Sequence, residues 1–192
     1  MNGQGEDRYS KRAWRERLLA ARRLVPTAQR ATEATALAAA IGSLPGDPVC
    51  CYLPVRTEPG SLAMIDALAG RQVLLPVVTG AAPLDWAIYD GTESLADGPY
   101  GLVEPAGPRL GPAAIARAQL ILVPALAVDR HGIRLGRGGG HYDRSLPLAL
   151  PGTRLVAIVR DDELVAELPA EPHDVRMTAA LTPSHGYQPL GN

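Results

Sequence analysis

The chain has no phenylalanine, a single lysine, two cysteines and four histidines among its 192 residues. The cysteines, Cys50 and Cys51, are adjacent, so they cannot close an ordinary disulfide with each other, and with scattered histidines they have no zinc-site spacing. They read as small buried hydrophobes of a protein from a reducing compartment. No apolar run reaches the ~18 residues of a membrane helix and no signal-peptide pattern appears, so a soluble cytoplasmic protein is expected. The formal net charge is −1, which offers no bulk attraction to nucleic acid or to an anionic membrane. Lys11 stands alone against 18 arginines. That bias, with abundant alanine, glycine and proline, reads as genome composition: it lowers the information in any one arginine and raises it in the lysine. The length predicts one domain with a sizeable core, with residues 1–9 and 183–192 as loosely ordered tails.

What is present has a clear order. Ser10 suits an N-cap, and Trp14, Leu18, Ala21 and Val25 recur at helical spacing. Lys11 and Arg15, four apart, share a face of that helix. They are either part of a solvated basic face or a pair of cations aimed at a polyphosphate. Pro26-Thr27 punctuates, and Ala31, Ala34, Leu37, Ala38 and Ile41 mark a second amphipathic helix. Val49–Leu53 reads as the first core strand, followed by a loop with Glu58 and a helix carrying Leu62, Ile65 and Leu68. Glu58 is either an exposed loop acid or a ligand-facing carboxylate beyond a strand end. Gln72–Val78 and Leu84–Tyr89 read as strands. Residues 90–112 form a long Gly/Pro-rich excursion with Tyr100, Glu104 and Pro105, and Ala113–Ala118 a helical turn. Thr153–Val159 is the last clear core strand. Leu164–Leu168 reads as helical, and His173–Met177 as a loop into a short edge strand. Strands alternating with helices predict an α/β sandwich with a mainly parallel sheet.

The most informative stretch is 121–147. An apolar run, Ile121-Leu122-Val123, suits a buried parallel strand that ends at Pro124. The turn Asp129–Gly132 leads to Arg134-Leu135-Gly136-Arg137, then Gly138 to Gly140, then His141-Tyr142-Asp143-Arg144, with a helix expected from Ser145. Strand, glycine loop and helix form an anion cradle, because glycine lets backbone N–H groups approach and arginines add bidentate donors. The loop is not a Walker A motif, since His141 and Tyr142 stand where lysine and a hydroxyl residue belong. It is not a dinucleotide fingerprint either, because the spacing fails beyond Gly136-Arg137-Gly138. No Ser/His/Asp triad can be assembled. A phosphate site with Arg, Lys and carboxylates remains, and the carboxylates suggest Mg²⁺. Four loops are expected to converge on it: those of Glu58, Glu104, the glycines and His173-Asp174.

The segment from Val123 to Arg144 resembles the signature of the 5-formyltetrahydrofolate cyclo-ligase family, also called methenyltetrahydrofolate synthetase, which ends R-L-G-x-G-x-G-Y-Y-D-R. K-x-x-x-R at Lys11 to Arg15, Tyr52-Leu-Pro, Glu58-Pro-Gly-Ser, Leu74-Leu-Pro, Tyr100-Gly-Leu-Val-Glu-Pro105 and His173-Asp174 extend the resemblance in order over nearly the whole chain. The resemblance implies a single-domain, three-layer α/β/α sandwich of the NagB/RpiA/CoA-transferase-like kind. It implies a monomer acting on 5-formyltetrahydrofolate, polyglutamylated or not, with ATP and Mg²⁺. It also implies that Lys11, Arg12, Ala13, Trp14 and Arg15, together with Arg134, Leu135, Gly136, Arg137, Gly138, Gly139, Gly140, His141 and Tyr142, hold ATP. Lys11, Arg137 and Arg144 would act catalytically, Val55, Glu58, Gly60 and Tyr142 would bind the pterin, and Asp143 and Asp174 would hold Mg²⁺.

Two positions depart from the family pattern. His141 stands where the first of two tyrosines is usual, and Gly60-Ser61 replaces an acidic-Thr pair, so substrate-side contacts are expected to differ. Two other readings use the same residues: an ATP-dependent ligase for a different amide or carboxylate, and a protein that sequesters 5-formyltetrahydrofolate without turnover.

Overall fold

Ser10 caps the first helix, α1 (Lys11–Leu24), its hydroxyl accepting from the Ala13 N–H at 3.2 Å. Pro26 precedes α2 (Thr27–Ser43), which buries Ala34, Leu37, Ala38 and Ile41 as its spacing predicts. The structure is a computed structural model and describes residues 10–98 and 103–191. Along the chain follow β1 (Val49–Cys50), α3 (Ala63–Asp66), β2 (Val73–Val77), β3 (Asp85–Ile88), β4 (Leu95–Asp97), β5 (Val103–Pro105), β6 (Leu120–Pro124), β7 (Ala127–Asp129) and β8 (Arg134–Leu135). Then come α4 (His141–Ser145), β9 (Arg154–Ile158), β10 (Leu164–Val165), β11 (Ala179–Thr182) and β12 (Gly186–Pro189).

Seven strands form the main sheet in the order β12-β11-β9-β6-β1-β2-β3. Its interior pairings are parallel, with Val49 opposite both Val73 and Leu120, and only the edge strands β3 and β12 run antiparallel. Alternation along β6 builds two cores at once. Leu120 and Leu122 face α2 and α3 with Leu37, Ile41 and Ile65, whereas Ile121 and Val123 face Trp86, Ile115 and Leu146. The second face is covered by short 3₁₀ segments, Pro112–Arg117 and Leu146–Leu148, so the third layer of the expected sandwich is thin. Helix α1 packs elsewhere, placing Leu18 with Leu126, Ile133, Leu135 and Leu168 against the small sheet β10-β7-β8. Cys50 and Cys51 are free, buried and on opposite faces of the sheet, as small hydrophobes would be. Burial pushes the Cys51 thiol up to about 12.

Several local expectations are corrected. The excursion at 90–112 contains regular structure, since β4 and β5 pair antiparallel within it; Tyr100 lies outside the described residues. The helix near the glycine loop begins at His141 and ends at Ser145, since Gly140 in the left-handed region caps its start and Pro147 falls in the 3₁₀ turn directly after it. Leu164–Val165 is a strand paired with β7 rather than helix, because Pro169 leaves too little chain for helix nucleation. The strand expected after His173–Met177 starts only at Ala179 and lies inside the sheet, between β9 and β12. The tail beyond Thr182 is not loose, because β12 completes the sheet edge. On α1, Ala21 is exposed while its neighbour Arg22 is buried.

Asp129, part of the sequence signature, has an architectural role. Its buried carboxylate accepts from the N–H groups of His131 and Ile133 at 2.9 Å each, and of Leu168 at 3.0 Å. It therefore closes the β7–β8 turn and ties it to the segment after β10. Replacing it with alanine leaves buried donors unpaired, and denaturant unfolding should show a loss of roughly 3 kcal/mol.

Candidate active site

Parallel strands leave a crevice at their C-terminal ends, and there the chain after β1, the ends of β2 and β6 and the glycine loop enclose a cavity of about 240 Å³. Its walls are mostly apolar: Tyr52, Leu53, Val55, Leu75, Pro76 and Tyr142 contribute. Strand β5 lies against β2 and brings Val103 and Glu104 to the same cavity. Three of the four expected loops therefore meet. The fourth, carrying His173 and Asp174, does not line this cavity.

The glycine loop owes its shape to residues without side chains. Gly138 (φ 97°) and Gly140 (φ 69°) are left-handed, and a Cβ on Gly140 would overlap Nη1 of Arg144. Among the described residues, no protein group accepts from the N–H groups of Gly138, Gly139 or Gly140. Arg15 Nε donates to the Gly136 carbonyl at 2.9 Å, fastening α1 to the loop. Arg144 folds back on the Gly139 carbonyl at 3.1 Å and sits 3.5 Å from His141 Nδ1. Burial lowers the His141 pKa and the Arg144 charge lowers it further, so the imidazole is neutral at neutral pH.

Arg134 lines the cavity, but protein groups already take up part of its guanidinium. It is buried, donates to the Pro124 carbonyl at 3.1 Å and pairs with Oδ1 of Asp143. Burial pulls its pKa down and Asp143 opposes that pull. Its neighbour Leu135 points into the small core under α1. Arg137 reaches the opposite wall, its Nε 2.9 Å from Glu58 Oε1, while Glu58 Oε2 accepts from the Val55 N–H at 3.0 Å. Glu58 is therefore a largely buried carboxylate at the cavity wall and not an exposed loop acid. The Tyr142 hydroxyl is buried with no partner among the described residues, and burial followed by the Glu58 charge raises its pKa.

Lys11 lies outside the cavity lining, with Nζ 2.7 Å from Glu171 and 2.9 Å from Asp174. Burial lowers its pKa, but the hydrogen bonds to Glu171 and Asp174 outweigh that and leave it raised. Arg12 pairs with Glu16 on an exposed face. Ala13 is half-buried, and Trp14 packs toward the small core with Arg17 over its ring at 3.8 Å. Glu171, His173 and Asp174 bring ligand atoms within 4.8 Å of one another, but the Lys11 ammonium already supplies a cation there. Asp143, the other expected metal ligand, is not in that group. Gly60 does not line the cavity either. It has φ 102°, and a Cβ there would overlap Met64 Sδ, so the backbone here requires glycine. Introducing the acidic residue, Gly60→Asp, is expected to cost about 2 kcal/mol or more in thermal unfolding, from strained backbone and overlap with Met64.

Sequence reasoning missed Glu171 as a partner of Lys11 and the pairing of Glu104 with Arg109 at 2.9 Å. Glu171 lies in a polar, proline-bounded loop 160 residues from Lys11, and nothing local in the sequence links the two.

Known proteins resemble this chain in sequence and in fold. Residues 7–183 match the model of the 5-formyltetrahydrofolate cyclo-ligase family. A 5-formyltetrahydrofolate cyclo-ligase of Mycolicibacterium smegmatis is 50% identical over 94% of this chain and 97% of its own length. The Escherichia coli K12 protein of the same name is 31% identical, over 73% of this chain and 80% of its own. The structure of Aquifex aeolicus 5,10-methenyltetrahydrofolate synthetase superposes with a TM-score of 0.78 at 25% identity, covering 95% of this chain and 93% of that one. That of the Mycoplasma pneumoniae synthetase, at 16% identity, shares the fold with a TM-score of 0.71 over 89% and 97%. With the family model matching residues 7–183 and a relative half identical over nearly the whole chain, the chain belongs to the 5-formyltetrahydrofolate cyclo-ligase family.

Proposed function

We propose that the chain converts 5-formyltetrahydrofolate to 5,10-methenyltetrahydrofolate at the expense of ATP, releasing ADP and phosphate. One observation carries this reading: a single apolar cavity has a largely buried carboxylate, Glu58, at one wall and a loop of unpaired backbone N–H donors at another. The carboxylate suits the N–H edge of a pterin, and the loop suits the oxygens of a triphosphate. A protein that only sequestered folate would have use for Glu58 and the apolar walls, but not for the unpaired loop donors.

A formamide oxygen is a weak nucleophile and a poor leaving group. Its attack on the γ-phosphorus of ATP forms the O–P bond and releases ADP. N10 then attacks the activated carbon, loses its proton, and the carbon–oxygen bond breaks as phosphate departs. The chain needs no covalent nucleophile for this; it must orient two substrates and stabilise charge. Gly138 to Gly140 and Arg137 would hold phosphate oxygens, Arg15 and Arg144 would keep the loop in shape, and Val55 and Tyr142 would pack on the pterin.

Magnesium fits Asp143 better than Asp174. Asp143 lines the cavity, and its Oδ2 accepts no hydrogen bond among the described residues, whereas both Asp174 oxygens hold Lys11. When bound, the ion would offset charge on the phosphate oxygens. No helix among the described residues is long and apolar enough to cross a membrane. Mixing the protein with 5-formyltetrahydrofolate and MgATP should raise methenyl absorbance in step with ADP release; no rise, with no folate binding by calorimetry, would end the proposal.

A further inference from the structure

One buried ion pair of the fold lies outside the cavity lining, between α1 and the end of β6. Arg22 of α1 is 1% exposed and its partner Glu163 is 3% exposed. Arg22 Nε meets Glu163 Oε1 at 2.6 Å, and Nη2 meets Oε2 at 2.8 Å and the Ala125 carbonyl at 2.5 Å. Glu163 also accepts from the Arg160 N–H at 2.8 Å, and Arg160 grips Glu33 of α2 through two bonds of 2.6 and 2.7 Å. Ala125 lines the cavity beside Pro124, whose carbonyl is held by Arg134. Two consecutive carbonyls at the cavity wall are thus each held by a buried guanidinium.

Stability alone does not account for this pair. Burying two charges is costly, and Nη1 of Arg22 is buried with no partner among the described residues, which adds to the cost. Two apolar side chains of similar volume would serve the core as well or better. What an ion pair adds is a fixed register, because its hydrogen bonds are directional where apolar packing can slide. Helix α1 is the element whose register matters. It is pinned at Arg22 to Ala125 and at Arg15 to Gly136, and it carries Lys11 at its start, roughly 16 Å away at 1.5 Å per residue.

We propose that Arg22 and Glu163 are positioning residues for the nucleotide side of the site: their buried pair sets the register of α1 against the end of β6, and so the place of Arg15 against the glycine loop. This rests on the glycine loop serving the phosphates of ATP. The double variant Arg22→Met/Glu163→Leu removes the directional bonds and keeps the volume. It is expected to melt at or above the parent temperature and to bind 5-formyltetrahydrofolate within twofold of the parent, yet to lose tenfold or more in kcat/KM for MgATP. Arg22→Lys, which keeps the charge and one donor, should recover part of that loss.

A folded double variant whose kcat/KM for MgATP stays within twofold of the parent overturns the proposal, as does an equal loss in folate affinity. If the double variant does not fold, Arg22→Lys decides alone: a raised KM for MgATP with unchanged folate binding supports positioning, and unchanged kinetics overturns it. A parent protein with no ATP-dependent turnover would instead overturn the assigned function, before any variant is compared.

Discussion

Replacing Lys11 with methionine is expected to lower turnover by roughly 100- to 1,000-fold while leaving 5-formyltetrahydrofolate binding within about twofold, the size of effect seen when one preorganised donor to a developing charge is removed. Methionine keeps most of the length of the side chain and loses the charge. Lys11 is held at the start of α1 by Glu171 and Asp174, so in the free protein its ammonium is already oriented and little order must be acquired on binding ATP. Against the downward pull of burial, the same two carboxylates raise its pKa above the ordinary 10.5, so the ammonium stays charged through neutral and mildly alkaline pH. Any loss of activity below that value must then come from another group, and a kcat–pH profile of the parent checks this. Lys11→Arg should restore charge but only part of the rate, because a planar fork does not reproduce a compact ammonium. Turnover of Lys11→Met within threefold of the parent would show that this lysine serves only to dock the helix.

Glu58→Gln is the second large effect. The amide keeps the shape of a side chain that is 9% exposed, but it has one acceptor oxygen where the carboxylate has two, and it has no charge. Hydrogen bonds to a charged partner contribute about 1.5–3 kcal/mol, so folate affinity should fall roughly 10- to 100-fold, read by calorimetry without ATP. Arg137 complicates the site in an informative way, since its Nε pairs with Glu58 Oε1 at 2.9 Å. In the Gln variant Arg137 loses its counter-charge and becomes freer to meet an anion, so ATP affinity should hold or improve while folate affinity falls. Equal losses for both substrates would mean that Glu58 supports the cavity wall and does not recognise the pterin.

Much of this site is legible in the order of residues. Alternating apolar runs separated by helical spacing, with strands rich in Val, Ile and Leu, determine a mainly parallel sheet, and local glycine chemistry determines the left-handed turns of the loop after β8. Both are local signals: they depend on neighbours within a few residues, which a sequence displays directly. Family resemblance is the source of the roles proposed for Lys11, Glu58 and Asp143. The tertiary structure decides which of these side chains face the cavity and which are occupied elsewhere. Arg134 reads as a phosphate ligand from its place in the loop, yet it is buried between the Pro124 carbonyl and Asp143. Asp174 reads as a metal ligand, yet it grips Lys11.

Arg22 shows the limit most plainly. Its charge points to solvent although it stands one turn after Leu18, and nothing near it in the chain reveals Glu163, 141 residues away. A charge can be buried only where a distant partner closes over it, and closeness in space between residues far apart in the chain is what a sequence does not show. The stretch around Gly138 to Gly140 is therefore recognisable as an anion cradle before any coordinates, because its conformation is written into the absence of side chains. The setting of that loop against Arg15, Glu58 and Asp143 belongs to the fold, which alone brings these distant parts of the chain together.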